Sequence, residues 1–198
     1  MFESVMYIFV FLWTPILDSA GAKWPLGLVF SCFMVCIMIG SSLNTLLLNQ
    51  KIRASNILFI AISSSLVAMI TCSWSTDVAH RSPVLSFIAF LVLEISVGMY
   101  FPAIGYLRSQ VIPEALRANI MNWFRVPLNV ITCSVLYWLH KDDSAATGSV
   151  AAASKSDDYL VHAFMFNCLM CTVGLFSSLL FTKRFKERVI EIETLNVE

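Results

Sequence analysis

The chain has 198 residues, of which 58% are hydrophobic and 13% are charged, and its formal net charge is zero. Soluble domains typically carry about 25% charged residues, so this chain has roughly half the usual share. Water would not keep so apolar a surface dispersed, whereas a bilayer solvates it directly. The composition therefore excludes an ordinary soluble domain, and the zero net charge gives no basis for a nucleic-acid partner.

Six apolar blocks, separated by charged residues, predict six membrane-spanning helices, because a span needs about 20 apolar residues. The predicted helices cover residues 1–17, 26–48, 55–75, 84–107, 118–139 and 159–182. The first block is the shortest, and a secretory signal peptide is its alternative. Glu3 stands where a signal peptide would have its basic region, which favours a spanning helix. The sequence therefore predicts an all-α membrane protein.

Lysine and arginine residues predict how these spans are oriented. Six spans put both termini on one side, and positive residues accumulate on the cytoplasmic side of membrane proteins. Eight lie on the side of the termini and four on the other: Lys51, Arg53, Arg108, Arg117, Lys183, Arg184, Lys186 and Arg188 against Lys23, Arg81, Lys141 and Lys155. We therefore expect cytoplasmic termini, with the plasma membrane as the expected location. Residues 141–158 are expected to form a flexible outer loop and residues 183–198 a cytoplasmic tail.

The fifth block carries a polar stripe centred on a charged residue. Steps of three and four residues place five polar side chains on one helix face: Asn119, Asn122, Arg125, Asn129 and Thr132. Pro127 removes a backbone donor and is expected to bend the helix. A charge inside a span costs about 2.5–3.5 kcal/mol on insertion scales and usually faces a partner or an aqueous cavity. Snorkelling of Arg125 to the interface is the alternative, but it does not explain the asparagines.

Two acidic residues and six cysteines complete the candidates for chemistry. Glu94 lies near the middle of its block and is predicted as a proton site or as a salt-bridge partner of Arg125, with a neutral packing carboxyl as the alternative; Glu3 is the second such candidate. The cysteines all lie in or beside apolar segments and are interpreted as small apolar side chains. We therefore expect neither a metal site nor a cofactor, and no enzyme motif occurs.

Several runs of this sequence resemble the C-terminal half of the molybdate-anion transporters of the major facilitator superfamily. The runs are FESVMYIFVFLWTPILD (2–18), GLVFSCFMVCIMIGSSL (27–43), SFIAFLVLEISVGMYFPAIGYLRSQVIPE (86–114) and NIMNWFRVPLN (119–129). The resemblance implies twelve helices in two six-helix halves, with the substrate site between them. It implies that this chain is one half-bundle, corresponding to helices seven to twelve, and that an N-terminal half would be its partner.

The implied substrate suits the polar stripe. Molybdate is a dianion that bears only hydrogen-bond acceptors, so it requires cations and neutral donors. Arg125 offers a planar cation, and Asn122 and Asn129 offer amide donors, so these three are the hypothetical substrate ligands. The alternative is a six-helix fragment that does not transport by itself and that assembles with, or modulates, a full-length transporter. An intramembrane enzyme would need a nucleophile–base pair or a metal cluster, and the sequence offers neither.

Overall fold

A computed structural model describes residues 2–19, 25–76, 82–146 and 151–195 of the chain. Within these ranges the protein consists of six α-helices, which confirms the predicted fold class. They are α1 (Phe2–Ser19), α2 (Leu26–Asn49), α3 (Ala54–Thr76), α4 (Pro83–Val111), α5 (Glu114–Ala146) and α6 (Ala151–Leu195).

The helices extend further than their apolar blocks at the end of the chain. The predicted loop at 141–158 is helical up to Ala146 and again from Ala151, and the predicted tail at 183–198 is helical up to Leu195. Alanine and straight-chain charged residues are good helix formers, so a helix can continue through them after the apolar run has ended. Apolar length therefore predicted where these helices lie along the chain but not where they end.

Four segments are long and apolar enough to cross a membrane by length and composition. They are α2, α3, α4 and the Val161–Arg184 part of α6. The two other predicted spans fall short among the described residues: the apolar part of α1, Phe2–Leu17, is short, and α5 contains Arg117, Arg125 and three asparagines. The polar residues that make α5 a candidate for function are therefore also what weakens it as an apolar span.

An aromatic cluster lies in the part of the buried core where α1, α2 and α4 meet. Phe9, Phe33 and Phe90 are almost fully buried, and their ring centroids lie 5.0 Å (Phe9–Phe90), 6.0 Å (Phe9–Phe33) and 6.3 Å (Phe33–Phe90) apart. Trp13 adds an edge contact to Phe33 at 5.3 Å. Aromatic pairs at these separations contribute about 0.5–1.5 kcal/mol each beyond their buried area. This cluster fixes α1 against the rest of the bundle.

Glycines permit a backbone-to-backbone contact between α2 and α4. A Cβ atom on Gly40 would lie 2.1 Å from the carbonyl oxygen of Ile95, and one on Gly98 would lie 2.2 Å from the carbonyl oxygen of Ile37. Each glycine therefore faces the backbone of the opposite helix. Such close approach is typical of helix pairs in membranes. Serine pairs join α4 to α3 in addition, Ser64 to Ser96 at 2.7 Å and Ser75 to Ser86.

Large apolar side chains cover much of the outer surface. Met38, Val67, Trp74 and Phe176 are each between 60% and 70% exposed. Exposed apolar patches of this extent are not found on soluble monomers but suit contact with acyl chains. The chain is an integral membrane protein.

Candidate functional site

A groove of about 570 Å³ lies between α1, α4 and α5. Three of its lining residues are charged, one from α1, one from α4 and one from α5. The lining side chains are Glu3, Met6, Tyr7, Phe101, Arg108, Met121, Arg125, Leu128 and Asn129. We call this feature the α1–α4–α5 groove. Its volume falls in the range of small-molecule sites, which is about 300–1,000 Å³.

Helical spacing explains why these residues face one space. On α5, Met121, Arg125 and Asn129 follow at steps of four, which places them on one face. On α4, Phe101 and Arg108 are seven residues apart, or about two turns. On α1, Glu3, Met6 and Tyr7 of the first two turns line the groove. The opposite face of α1 is buried in the aromatic core.

An ion pair crosses the groove from α1 to α4. Arg108 Nη2 donates to Glu3 Oε1 at 2.8 Å, and the Tyr100 hydroxyl donates to the same oxygen at 3.5 Å. The Phe2 ring packs on the ring of Tyr100 with centroids 4.4 Å apart. The side chains of Arg108 and Glu3 are 28% and 21% exposed, so the pair is accessible from the groove. Glu3 also lies in the first turn of α1, where a carboxylate is favoured by the helix dipole.

The groove has an excess of positive charge. Two guanidinium groups, Arg108 and Arg125, line it together with one carboxylate, Glu3, so the formal charge of these groups is 2 − 1 = +1. Among the described residues, no carboxylate lies within ion-pair distance of Arg125. A guanidinium presents five donors and no acceptor, and Asn129 adds an amide. The arrangement can bind an anion with several acceptor oxygens.

The structure brings three of the five predicted site residues to this groove: Arg125, Asn129 and Glu3. Asn122 is exposed on α5 but is not among the lining residues. At about 100° per residue it lies about 60° around the helix from Arg125, at the edge of the groove face. Thr132, at the other end of the predicted stripe, is buried and donates to the carbonyl oxygen of Leu128 at 3.0 Å in its own helix.

Glu94 occupies a different place in the bundle. It is 7% exposed and lies one helical turn before Gly98, whose contact is with α2. Its nearest lining residue along α4 is Phe101, seven residues further on, or about 10 Å at 1.5 Å per residue. Glu94 is therefore buried near the α2 contact of Gly98, about two turns of α4 away from the groove, and the groove-lining residues do not include it.

Arg108 is the functional candidate that sequence reasoning missed. It stood at the end of an apolar block and was assigned to a cytoplasmic connection, but the structure places it inside α4 and in the groove wall. Its seven-residue spacing from Phe101 was the available signal. Its pairing with Glu3 could not be predicted, because the two residues are 105 positions apart. Among the described residues, no three His, Cys, Asp or Glu side chains are grouped to hold a metal ion, and all six cysteines are free.

Comparison with known proteins finds similarity to transporters. Residues 1–93 match the family described as sugar transporters with 12 TM. Over 89% of its length the chain is 38% identical to the molybdate-anion transporter of Takifugu rubripes, and 37% identical to those of Xenopus laevis and Danio rerio. The chain is similar to molybdate-anion transporters over most of its own length. It spans 37–38% of the length of these three relatives, and no solved structure matches it.

This relationship directs attention to the ion pair in the groove. An oxyanion that entered the groove would compete with Glu3 for Arg108, since both would be acceptors for the same guanidinium. We expect Glu3→Gln to strengthen molybdate binding by about threefold to tenfold, because removing a competing charge of a partly exposed pair changes the free energy by about 1 kcal/mol. Equilibrium dialysis of the purified chain in nanodiscs, with molybdenum counted by mass spectrometry, measures this.

Glu114→Gln is the matched control, because Glu114 also lies in the first turn of a helix but outside the groove. It should leave the dissociation constant unchanged. Equal or weaker binding by Glu3→Gln, relative to Glu114→Gln, would contradict competition for Arg108.

Proposed function

We propose that the chain is the C-terminal half of a carrier that takes up molybdate across a cellular membrane. The supporting observation is the α1–α4–α5 groove, in which two guanidinium groups and an amide face one space inside a membrane protein. The names of the relatives supply the substrate. A tetrahedral dianion offers acceptors in several directions, and donors on two different helices can meet them simultaneously.

In this proposal Arg125 and Asn129 bind the oxyanion from α5, and Arg108 joins them from α4. Asn122 lies at the edge of the same helix face and is proposed as a contact along the entry path. Glu3 holds Arg108 while the groove is empty and acts as its salt-bridge partner. Glu94 is proposed as a proton site remote from the anion, because it is buried at the α2 interface. No enzymatic step is part of this cycle.

The length of the chain and the groove face of α5 favour a partner for this half. The chain spans little more than a third of its relatives' length, and Arg125 and Asn129, which line the groove, are exposed. We propose that an N-terminal six-helix half packs against the face that contains the groove. The termini are proposed to be cytoplasmic and the membrane to be the plasma membrane, from the distribution of Lys and Arg.

Uptake by cells tests the proposal in two arms. The chain is expressed alone or together with the remaining part of the Takifugu rubripes relative, and cellular molybdenum is measured at several external molybdate concentrations. Saturable uptake in either arm, with Arg125→Ala reducing it, supports the carrier. A second candidate function, a fragment that modulates a full-length transporter, is favoured if the chain alone changes the uptake of a co-expressed intact relative. Absence of uptake in both arms would refute transport by this chain.

A further inference from the structure

A second cavity of about 410 Å³ lies on the other side of Arg108. Helices α3, α4 and α6 form most of its wall, with single contributions from α1 and α5. We call it the α3–α6 cavity. Ten of its fourteen lining side chains are hydrocarbon or aromatic, counting Tyr100: Phe2, Leu58, Ile62, Tyr100, Ile104, Leu107, Val111, Ile112, Phe124 and Phe181. The other four lining residues are Arg108, Gly174, Ser177 and Ser178.

Two polar groups in this cavity have capacity for a ligand. Ser178 is 5% exposed, and its hydroxyl oxygen has no hydrogen-bond partner among the described residues. Other helical serines, such as Ser31 and Ser65, donate to the carbonyl oxygen four residues earlier, which is the usual way to satisfy such a hydroxyl. Among the described residues, Arg108 hydrogen-bonds to Glu3 through Nη2, which leaves its other guanidinium donors for a ligand in the cavity.

The position of Arg108 along α4 sets the direction in which a ligand would lie. It stands three residues before the end of α4 at Val111, or about 4.5 Å from it at 1.5 Å per residue. Gly174 and Ile62 lie further from that end of the bundle, where a Cβ atom on Gly174 would lie 3.9 Å from Ile62 Cγ2. The cationic end of the cavity is therefore near the membrane surface and its apolar end is deeper.

We propose that the α3–α6 cavity binds a single-chain lipid with an anionic headgroup. The headgroup pairs with Arg108 and accepts from Ser178, and the acyl chain lies between α3 and α6 toward Gly174. At about 30 Å³ for each water-sized group, the cavity of about 410 Å³ holds about 14 such groups, which is most of one chain and excludes two. Arg108 is the one charged lining residue, and its donors beside the Nη2 that pairs with Glu3 favour an anionic headgroup. This inference does not depend on which substrate the carrier transports.

Photolabelling of the purified chain in phosphatidylcholine nanodiscs tests this site. The probe is palmitate that bears a diazirine on its chain, and mass spectrometry locates the adducts. We expect adducts to concentrate on Leu58, Ile62 and Phe181, and unlabelled palmitate to suppress them at least tenfold more effectively than hexadecanol, which has the chain but no charge. Competition by lysophosphatidate in a parallel arm distinguishes a phosphate headgroup from a carboxylate, and stronger competition by either anion supports the site.

Two glycine variants separate the cavity from general contact with lipid. Gly174→Leu fills the deep end of the cavity and should reduce labelling about tenfold. Gly27→Leu is the matched control, because no atom lies within 4 Å of a Cβ atom at Gly27, and it should label as the unsubstituted chain does. Ser178→Ala should weaken the competition by palmitate relative to that by hexadecanol, because it removes the hydroxyl without filling the cavity. Thermal midpoints and gel-filtration profiles verify that each variant is folded.

Several results would overturn the proposal. Adducts spread equally over outward-facing residues such as Met38 would indicate ordinary lipid contact. Equal labelling of folded Gly174→Leu and Gly27→Leu would exclude the cavity, and equal competition by hexadecanol and palmitate in the unsubstituted chain would exclude the anionic headgroup. A dimer in native mass spectrometry that carries no palmitate would show that a second copy of the chain occupies the cavity.

Discussion

Replacing Gly40 with alanine should force α2 away from α4 and lower the stability of the bundle. The added Cβ atom would lie 2.1 Å from the Ile95 carbonyl oxygen, and backbone cannot rotate away as a flexible side chain can. Overpacking of this kind typically costs about 1–3 kcal/mol, occasionally more. For a chain of this size we expect the thermal midpoint in detergent to fall by roughly 2–12 °C, at about 2–4 °C per kcal/mol. Fluorescence-monitored unfolding of the purified protein measures the change.

The same helix provides the control. Gly27→Ala adds the same methyl group to α2 where no atom lies within 4 Å, so its midpoint should equal or slightly exceed that of the unsubstituted chain. Gly98→Ala should resemble Gly40→Ala, because its Cβ atom would approach the Ile37 carbonyl oxygen at 2.2 Å. If Gly40→Ala and Gly27→Ala unfold at the same temperature, the close contact between α2 and α4 does not exist.

Replacing Arg125 with alanine should weaken molybdate binding by about fivefold. Arg125 is exposed, an exposed ion pair contributes up to about 1 kcal/mol, and 1.4 kcal/mol corresponds to a factor of ten. The molybdate affinity of Arg125→Lys should lie between those of the unsubstituted chain and Arg125→Ala, because lysine keeps the charge but loses the planar donor geometry. Equilibrium dialysis of the purified chain gives the dissociation constants, and the same order should appear in cellular uptake.

Arg117→Ala controls for the loss of a positive charge on α5. Arg117 lies two turns before Arg125, does not line the groove, and donates to the Ile112 carbonyl oxygen at 3.5 Å. Its replacement should leave molybdate affinity within about twofold. If Arg125→Ala and Arg117→Ala bind molybdate with equal affinity, Arg125 is not a ligand. Its effect on binding would then be long-range electrostatics alone.

The sequence was informative where one helix alone determines the outcome. The apolar blocks located the centres of all six helices, because burial in lipid requires a fixed apolar length. Their ends were not predictable, since an alanine-rich segment such as AAASKSDD has helical propensity without apolar character. The steps of three and four on α5 correctly placed Arg125 and Asn129 on one face, because that spacing is a property of any α-helix.

Contacts between helices were beyond the reach of periodicity. Glu3 was singled out by its charge, but its partner is Arg108, 105 residues away. Arg108 follows the end of an apolar block. At that position the local sequence does not distinguish a charge that faces a groove from a charge in a connection between helices. The close approach of α2 and α4 is visible only in the structure, where Gly40 lies against Ile95 and Gly98 against Ile37.

Arg108 contributes one guanidinium to the walls of two separate cavities. Thermodynamic linkage then applies to the two sites. If a lipid in the α3–α6 cavity changes the affinity of the α1–α4–α5 groove for an anion by some factor, the anion changes the affinity of the cavity for the lipid by the same factor. The sign of this coupling depends on whether the lipid and the anion use different donors of Arg108 or compete for the same ones. Glu3 is a third acceptor for these donors. Lipid composition would thus set the oxyanion concentration at which the groove is half filled.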